Sequence, residues 1–449
     1  MEIVKRLSNK IVMNFRGENI GALLLRASTG SFAIKLGGAG IAFFIQIWLA
    51  RLLEVSQYGI YIYVLAWINF LVLFAKAGMD VAVVRYIPVY LRNKDWGLFR
   101  GLISDSLSKV LLFSTCISVL IILVTYSLAE QIGRDLMYTF WIASVLLPML
   151  SITSLRNGAL QGMRYVVRAQ IPETIIRPLI LGILTGIIYL YLEGDFTAAH
   201  AMYSNIAAAG LAFVVGTYWL IKRLPREVIE ASPEYCRKEW LKMSLPMFFI
   251  AGMNLLLQQT DIMMLGVLVG TDSTGIYGAA ARIAALVTFG LTAVNSIVAP
   301  LISEYYSSGK MQELQRMITL AARGIFGFTI LICACLFFFG EFILGLFGED
   351  FIAGYPPLAV LLVGQAISAI AGSVGFLMVM TGHQMTAAKV IGGSALLNIV
   401  LNIILIPMYG IIGAAVATAI SAATWNMIML FYVKNNLNIN STVFAKLNR

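Results

Sequence analysis

The sequence predicts an all-α polytopic membrane protein of about 12 transmembrane helices, in two parallel six-helix bundles related by a pseudo-two-fold axis, with both termini cytoplasmic. Three observations carry this reading. The 449 residues are 60% hydrophobic and 12% charged, about half the charged fraction of a soluble domain. Apolar runs long enough to cross a hydrocarbon layer of about 30 Å recur along the whole chain. The basic residues gather on alternate connections between those runs.

Runs of about 20 apolar residues place spans at 31–50, 58–76, 107–127, 136–155, 170–191, 198–221, 244–269, 275–299, 318–340, 356–380, 386–406 and 410–433. Ahead of them, Lys5, Arg6, Lys10, Arg16 and Arg26 stand among Glu2 and Glu18. This stretch lacks the short apolar core and small-residue cleavage site of a removable leader, so the first span is expected to persist as a helix. The expected division is a cytoplasmic N-terminal segment (1–30), a first bundle (31–221), a cytoplasmic linker (222–243), a second bundle (244–433) and a cytoplasmic tail (434–449).

With the N-terminus inside, 26 of the 32 basic residues fall on inside segments and only Arg51 and Arg134 on outside loops. The other four, Lys35, Lys76, Arg177 and Arg282, lie in or at the edge of spans. The net charge of +10 therefore reads as membrane topology and not as a nucleic-acid footprint. Outside loops are short and acidic, carrying Glu54, Glu130, Asp135, Glu193, Asp195, Asp272, Glu341, Glu349 and Asp350. On the inside, "RYIPVYLRNKDWGLFRGLI" predicts an amphipathic surface helix after Pro88, with Trp96 and Phe99 entering the interface.

A shift of 216 residues aligns "YGIY" at 58–61 with "TGIY" at 274–277, and sets Tyr90 on Tyr306, Lys94 on Lys310, Leu98 on Leu314 and Arg100 on Arg316. A slightly different offset pairs Gly162 with Gly382. Six spans per repeat is an even number, so the halves lie parallel, as in transporters that place a substrate path between two bundles.

The blocks "RLLEVSQYGIYIYV", "AGMDVAVVRYIP", "LQGMRYVVRAQIPETIIRPLI", "TDIMMLGVLVGTDSTGIYGAAARI" and "LLNIVLNIILIPMYGIIGAAVATAIS" together resemble the polysaccharide and oligosaccharide flippases of the multidrug/oligosaccharidyl-lipid/polysaccharide exporter superfamily. The resemblance covers most of residues 25–433. It implies transfer of a polyprenyl-pyrophosphate-linked oligosaccharide from the inner to the outer leaflet of a prokaryotic cytoplasmic membrane, for surface polysaccharide assembly. It also implies membrane lipids as partners, with polysaccharide polymerase and glycosyltransferases acting before or after. Lipid II flippases of the superfamily typically carry two further helices, for which no span follows 433; the expectation is against peptidoglycan precursor as cargo.

A pyrophosphate with a hydrophilic sugar needs a wet, cationic cavity, and arginine's planar fork matches phosphate oxygens in two-point contacts. Arg282 and Asp261 each lie about two turns from the outer end of their spans, about 10–12 Å deep at 1.5 Å per residue. They are expected to pair, with Gln258, Gln259 and Thr260 as further partners for the carboxylate. That pair either fixes two spans together or switches: Asp261 titrates or binds a coupling ion, a proton or sodium, and releases Arg282 to take phosphate. Lys35, ahead of the glycines at 37, 38 and 40, either snorkels to headgroups or captures pyrophosphate at the cavity mouth. Arg177, just before Pro178, either faces the cavity or pairs with Glu173 at i,i+4 spacing. Lys76 and Arg85, at the inner end of the second span and just beyond it, are cavity candidates or ordinary positive-inside residues.

Other chemistry is unsupported. Cys333 and Cys335 point to different faces of one span, and Cys116 and Cys236 have no metal spacing. His200 and His383 fall at opposite membrane edges, so no joint metal site is expected. The phosphate-cradling G-x-x-x-x-G-K-[ST] stretch of an ATPase is missing. No cofactor is expected, and no enzyme: a membrane glycosyltransferase or polymerase would need a sizeable outer loop. A multidrug cation antiporter of the same superfamily is the alternative, and it would favour an acidic cavity.

Overall fold

The computed structural model describes residues 20–192 and 195–445, with side chains from Ile34 onward apart from that of Ser296. Residues 1–19 of the expected N-terminal segment, Glu193 of the acidic loops and the last four residues of the tail lie outside the described residues. Among the described residues every regular element is helical, and ten helices are long and apolar enough to cross a membrane.

The chain runs through α1 (Ile20–Lys76), α2 (Met79–Asn93), α3 (Trp96–Ser127), α4 (Ala129–Ile132), α5 (Arg134–Gly162) and α6 (Val166–Ile171). A π-helical turn (Pro172–Ile176) then leads into α7 (Arg177–Tyr191), α8 (Ala198–Arg223) and α9 (Arg226–Glu230). The rest comprises α10 (Arg237–Leu268), α11 (Thr271–Ala285), α12 (Thr288–Ser307), α13 (Met311–Gly345), a 3₁₀ turn (Glu349–Gly354), α14 (Tyr355–Ala371), α15 (Val374–Met380) and α16 (Gln384–Leu437).

Two of these helices fold back on themselves. In α1 the backbone leaves helical geometry at Glu54 (φ 57°), and the Tyr58 hydroxyl donates to Gln46 Oε1 at 3.1 Å; twelve residues of straight helix would hold them about 18 Å apart. In α16 the break is at Gly410 (φ 56°), and Asn398 Nδ2 donates to Thr418 Oγ1 at 3.3 Å, against about 30 Å along a straight helix. Each is an antiparallel pair of arms.

The contacts define two ends of the molecule. At one end, Arg51 donates to the Leu346 carbonyl at 2.6 Å, and Gln57 bridges Asp135 and the N–H of Ala198. At the other end lies the segment between α8 and α10, and we call this the linker end. A continuous apolar core joins helices of both sequence repeats towards the far end, from Leu49, Tyr58 and Tyr61 through Tyr277 to Phe351 and Leu358. Towards the linker end the core divides. One cluster, with Val83, Phe99 and Trp240, belongs mainly to the first half, and another, with Val298, Leu377 and Met429, to the second. The core is thus continuous at the far end and divided at the linker end, where α10 still packs on the first half: a Cβ on Gly78 would overlap the Ser244 carbonyl oxygen, and the rings of Phe74 and Phe248 are 5.5 Å apart.

The halves touch backbone to backbone near the far end. A Cβ on Gly59 would overlap the Thr271 carbonyl oxygen, and one on Gly275 would sit 2.8 Å from that of Val55. Gly59 and Gly275 are 216 residues apart, as are Val55 and Thr271. The repeat shift maps each side of this contact onto the other.

The surface helix expected after Pro88 is not one helix. Lys94 takes a left-handed conformation (φ 64°) and its N–H bonds the Tyr90 carbonyl, ending α2, and α3 starts at Trp96. Phe99 is fully buried, packed with Val228 and Trp240 and out of reach of the interface. The expected linker is docked on this corner. Arg100 Nη1 donates to the carbonyls of Ile229 and Ala231 at 2.6 and 2.7 Å, the Glu234 N–H donates to the Gly97 carbonyl, and Trp240 Nε1 donates to the Tyr90 hydroxyl at 2.9 Å. A Cβ on Gly101 would overlap the Glu234 carbonyl. Gly101→Val is therefore expected to destabilise the protein by about 1–3 kcal/mol through overpacking, read as a lower Tm of the purified protein; an unchanged Tm would mean a free linker. The tail is docked likewise: Gln315 exchanges two hydrogen bonds with the Asn440 backbone, and Arg323 donates to Val443 and Ala445 carbonyls.

Candidate functional site

Two buried polar clusters flank the place where the halves meet, and each is anchored on one of the repeat-related tyrosines, Tyr61 and Tyr277. In the second half the centre is Asp261 of α10, only 6% exposed. Its Oδ2 accepts from the Tyr277 hydroxyl of α11 at 2.6 Å and from the Thr418 hydroxyl of the second α16 arm. Its Oδ1 accepts from Asn402 Nδ2 at 2.7 Å and Asn398 Nδ2 at 3.4 Å, both on the first α16 arm. Asn402 Nδ2 also donates to Asn398 Oδ1 at 3.1 Å. The Asp261 carboxyl group is here partnered by neutral donors, so in its ionised form the cluster would carry a net negative charge in a low-dielectric setting. The Oδ1 of Asn402 finds no partner among the described residues.

The expected Asp261–Arg282 ion pair is absent. Tyr277 and Arg282 are five residues apart on α11, so at about 100° per residue their side chains point some 140° apart; with Tyr277 turned to Asp261, Arg282 is turned away. Gln258 is exposed and Gln259 half-buried, and neither bonds the carboxylate. The Thr260 hydroxyl donates to the Leu256 carbonyl of its own helix.

In the first half the cluster has the opposite sign. Glu173, in the π-helical turn, accepts from Arg156 Nη2 at 3.2 Å and Arg177 Nη1 at 3.4 Å. Arg177 also donates through Nε and Nη2 to Asn205 Oδ1, whose Nδ2 donates to the Tyr61 hydroxyl at 2.9 Å. Arg156, 4% exposed, is held further by the carbonyls of Ala212 and Phe213 and by Asn157 Oδ1. Two guanidinium groups on one carboxylate leave a net positive charge. Of the two expectations for Arg177, the i,i+4 pair with Glu173 is present. Arg156 went unrecognised as a buried residue because the fourth span was expected to end at 155, whereas α5 continues to Gly162. The sequence signal for it is Gly216, where a Cβ would overlap the guanidinium.

Arg282 belongs to neither hydrogen-bonded cluster. It is half-buried, within electrostatic reach of the Tyr58 and Tyr61 phenols, and it has no hydrogen bond or ion pair among the described residues. Lys35 is exposed on the first arm of α1, where Gly38 lets Thr174 approach its backbone. Lys76 is tied to Asp80 at 2.7 Å, and exposed Arg85 contacts Met243 Sδ. His200 caps α8 with Thr197, and His383 lies against Thr381. Among the described residues no three His, Cys, Asp or Glu side chains group as metal ligands.

A bundle of membrane-crossing helices with charged clusters buried where its halves meet is the build of a multi-pass transporter, and known proteins bear out that class. The chain belongs to the family described as "Polysaccharide biosynthesis protein", which it matches over residues 24–306, within the superfamily of multidrug, oligosaccharidyl-lipid and polysaccharide exporters; residues 246–404 also match the family MatE. It is 25% identical, over 93% of its length and 84% of the relative's, to the probable low-salt glycan biosynthesis flippase Agl15 of Haloferax volcanii. Over 36% of its length it is 30% identical to the probable flippase AglR of the same organism. Among solved structures, an inward-facing multidrug resistance MATE family transporter of the MOP superfamily superposes with a TM-score of 0.74 at 15% identity, over 92% of this chain and 98% of that one. The lipid II flippase MurJ in an inward closed conformation superposes with 0.70 at 17% identity, over 90% and 87%. These likenesses show the shared fold.

Proposed function

We propose that this protein is an alternating-access flippase that moves polyprenyl-pyrophosphate-linked oligosaccharide from the inner to the outer leaflet of a prokaryotic cytoplasmic membrane, for surface polysaccharide assembly. Arg282 carries the reading: an arginine at membrane depth with no hydrogen bond or ion pair among the described residues has its fork free for an anion, and a pyrophosphate fits it in two-point contact. The flippase names of two relatives support the same cargo class.

Ten long helices, two of them folded back at Glu54 and Gly410, amount to twelve crossings in two parallel bundles, 31–221 and 244–433, joined by 222–243. The reciprocal Gly59–Gly275 contact supports a pseudo-two-fold axis. The basic bias of the linker end supports a cytoplasmic side for that end and for both termini. The linker end then faces the compartment where lipid-linked sugars are made, and the glycosyltransferases that build the cargo and the polymerase that extends it are the expected partners. Lys35 stands at the mouth for a first encounter with pyrophosphate, Arg177 adds its cluster's surplus charge, and Gln258 and Gln259 offer sugar contacts. Lys76, neutralised by Asp80, and Arg85 serve at most in the approach. Asp261 is the coupling residue, acting through a proton or sodium and not by releasing Arg282.

The multidrug antiporter reading has the shape of the MATE transporters and the buried Asp261 in its favour. That carboxylate is enclosed by four donors, however, and the unpaired charge between the halves is positive. The test is reconstitution into liposomes with a fluorescent polyprenyl-pyrophosphate oligosaccharide, scoring leaflet exposure with an impermeant reagent. Protein-dependent exchange is expected. Its absence, together with cation efflux from cells, would give the antiporter reading the field.

A further inference from the structure

We infer that the interior of the second half holds a file of water that links Asp261 to the linker end and delivers the coupling cation there, apart from the space in which Arg282 would meet cargo. This rests on the reading of Asp261 as the coupling residue. The observation is a series of buried polar side chains in helices that are otherwise apolar. Asn402, Asn398 and Ser394 follow one another at four-residue steps along the first arm of α16, so they lie on one face, about 6 Å apart, and each is at most 2% exposed. Thr418 and Ser421 line the returning arm. The Asn398–Thr418 hydrogen bond fixes the antiparallel register, and one turn towards the linker end that register brings Ser394 level with Ser421. Both hydroxyl oxygens are buried and find no hydrogen-bond partner among the described residues.

Further towards the linker end, on a different face of the returning arm, more buried polar groups follow. Asn426, 3% exposed, donates to Ser368 of α14 at 3.1 Å. Five residues on, at the break between α14 and α15, the buried Ser373 hydroxyl is again without a partner. Beside it a Cβ on Gly372 would lie 2.8 Å from the carbonyl of Ser441 in the tail, so the series ends where the chain leaves the bundle. Buried polar atoms are almost always paired with protein or with water, and a buried water takes two to four such partners. Orphans at Asn402, Ser394 and Ser421, gathered between the two arms of α16, suit a chain of waters, and Ser373 marks its approach to the linker end. Such a chain lets a small cation shed its hydration in steps, with hydroxyl and amide oxygens replacing water.

The test uses full-length protein in inverted membrane vesicles, its four native cysteines replaced by alanine, and silver ion as a small monovalent, thiol-reactive probe added from the linker end. Ser394→Cys and Ser421→Cys are expected to lose their thiols to silver at least tenfold faster than Ala395→Cys and Ala417→Cys, buried neighbours outside the file. Ser394→Val is expected to slow the response to an imposed ion gradient while leaving cargo affinity unchanged. Silver rates at both serine positions equal to those of the alanine controls overturn the file, whatever Asp261 does. Fast silver reaction combined with undiminished gradient response in Asp261→Asn overturns the coupling reading and leaves the hydrated file standing.

Discussion

Arg282→Ala is expected to lower the rate of lipid-linked oligosaccharide exchange at least tenfold without harming the fold. The magnitude follows from the loss of charge-assisted hydrogen bonds to phosphate, about 1.5–3 kcal/mol, or roughly 10- to 150-fold in rate if they act in the rate-limiting state. The selectivity follows from the structure: Arg282 bonds none of the described residues, so its removal orphans none of them, and Tm is expected to move little. Arg282→Lys keeps the charge and loses the two-point fork, so an intermediate rate is expected. Arg177 is a poorer probe, because its loss would strip a partner from Glu173 and Asn205 as well. The measurement is the initial exchange rate in liposomes at matched protein density; equal rates for wild type and Arg282→Ala would remove the phosphate role from this residue.

Asp261→Leu and Asp261→Asn are expected to fail in different ways. Leucine removes the acceptor of four convergent donors at once, from Tyr277, Thr418, Asn398 and Asn402. Each buried orphan costs about 1–3 kcal/mol, so the total reaches several kcal/mol and a poorly folding protein is expected. Asparagine keeps one acceptor, and the hydroxyls of Tyr277 and Thr418 can turn to accept from its amide. A folded protein is expected, with a small loss of Tm. Its charge is gone, however, and with it the attraction for a cation. Exchange in Asp261→Asn is expected not to respond to a sodium or proton gradient that accelerates the wild type. A full response in the asparagine variant would place coupling elsewhere.

The long helices were legible because bilayer thickness imposes a minimum apolar length and cytoplasmic loops carry lysine and arginine; both constraints write themselves into composition. The repeat was legible as well, through "YGIY" and "TGIY", although only the fold shows the two motifs touching. The clusters were half legible. Asp261 and Glu173 announce themselves as charges in apolar surroundings, but partners depend on helix rotation. The guess that joined Asp261 to Arg282 used depth alone and missed that Tyr277 had taken the inward face of α11. The true partners sit in "LNIVLNII", two asparagines four apart in an apolar span, a signal that length and charge counting pass over. Arg156 was concealed by the helix end: three basic residues following a span look like an inside loop until α5 runs on past the first of them to Gly162. The corner at Lys94 was missed because a left-handed lysine has no sequence signature.

The meeting of Gly59 with Gly275 bears on how the halves would move. Side chains that interlock must change rotamer when two bodies rotate, and each change is a step with its own barrier. Two bare backbones have no rotamers to change, so they form a bearing near the far end of the molecule. The arm from Gly59 to Lys76 is about 25 Å long at 1.5 Å per residue, and a rocking of about 10° around that bearing would sweep its tip by about 4 Å. A small rotation at the fulcrum thus becomes a wide excursion at the linker end, enough to lift the Phe74 ring off Phe248, 5.5 Å from it here.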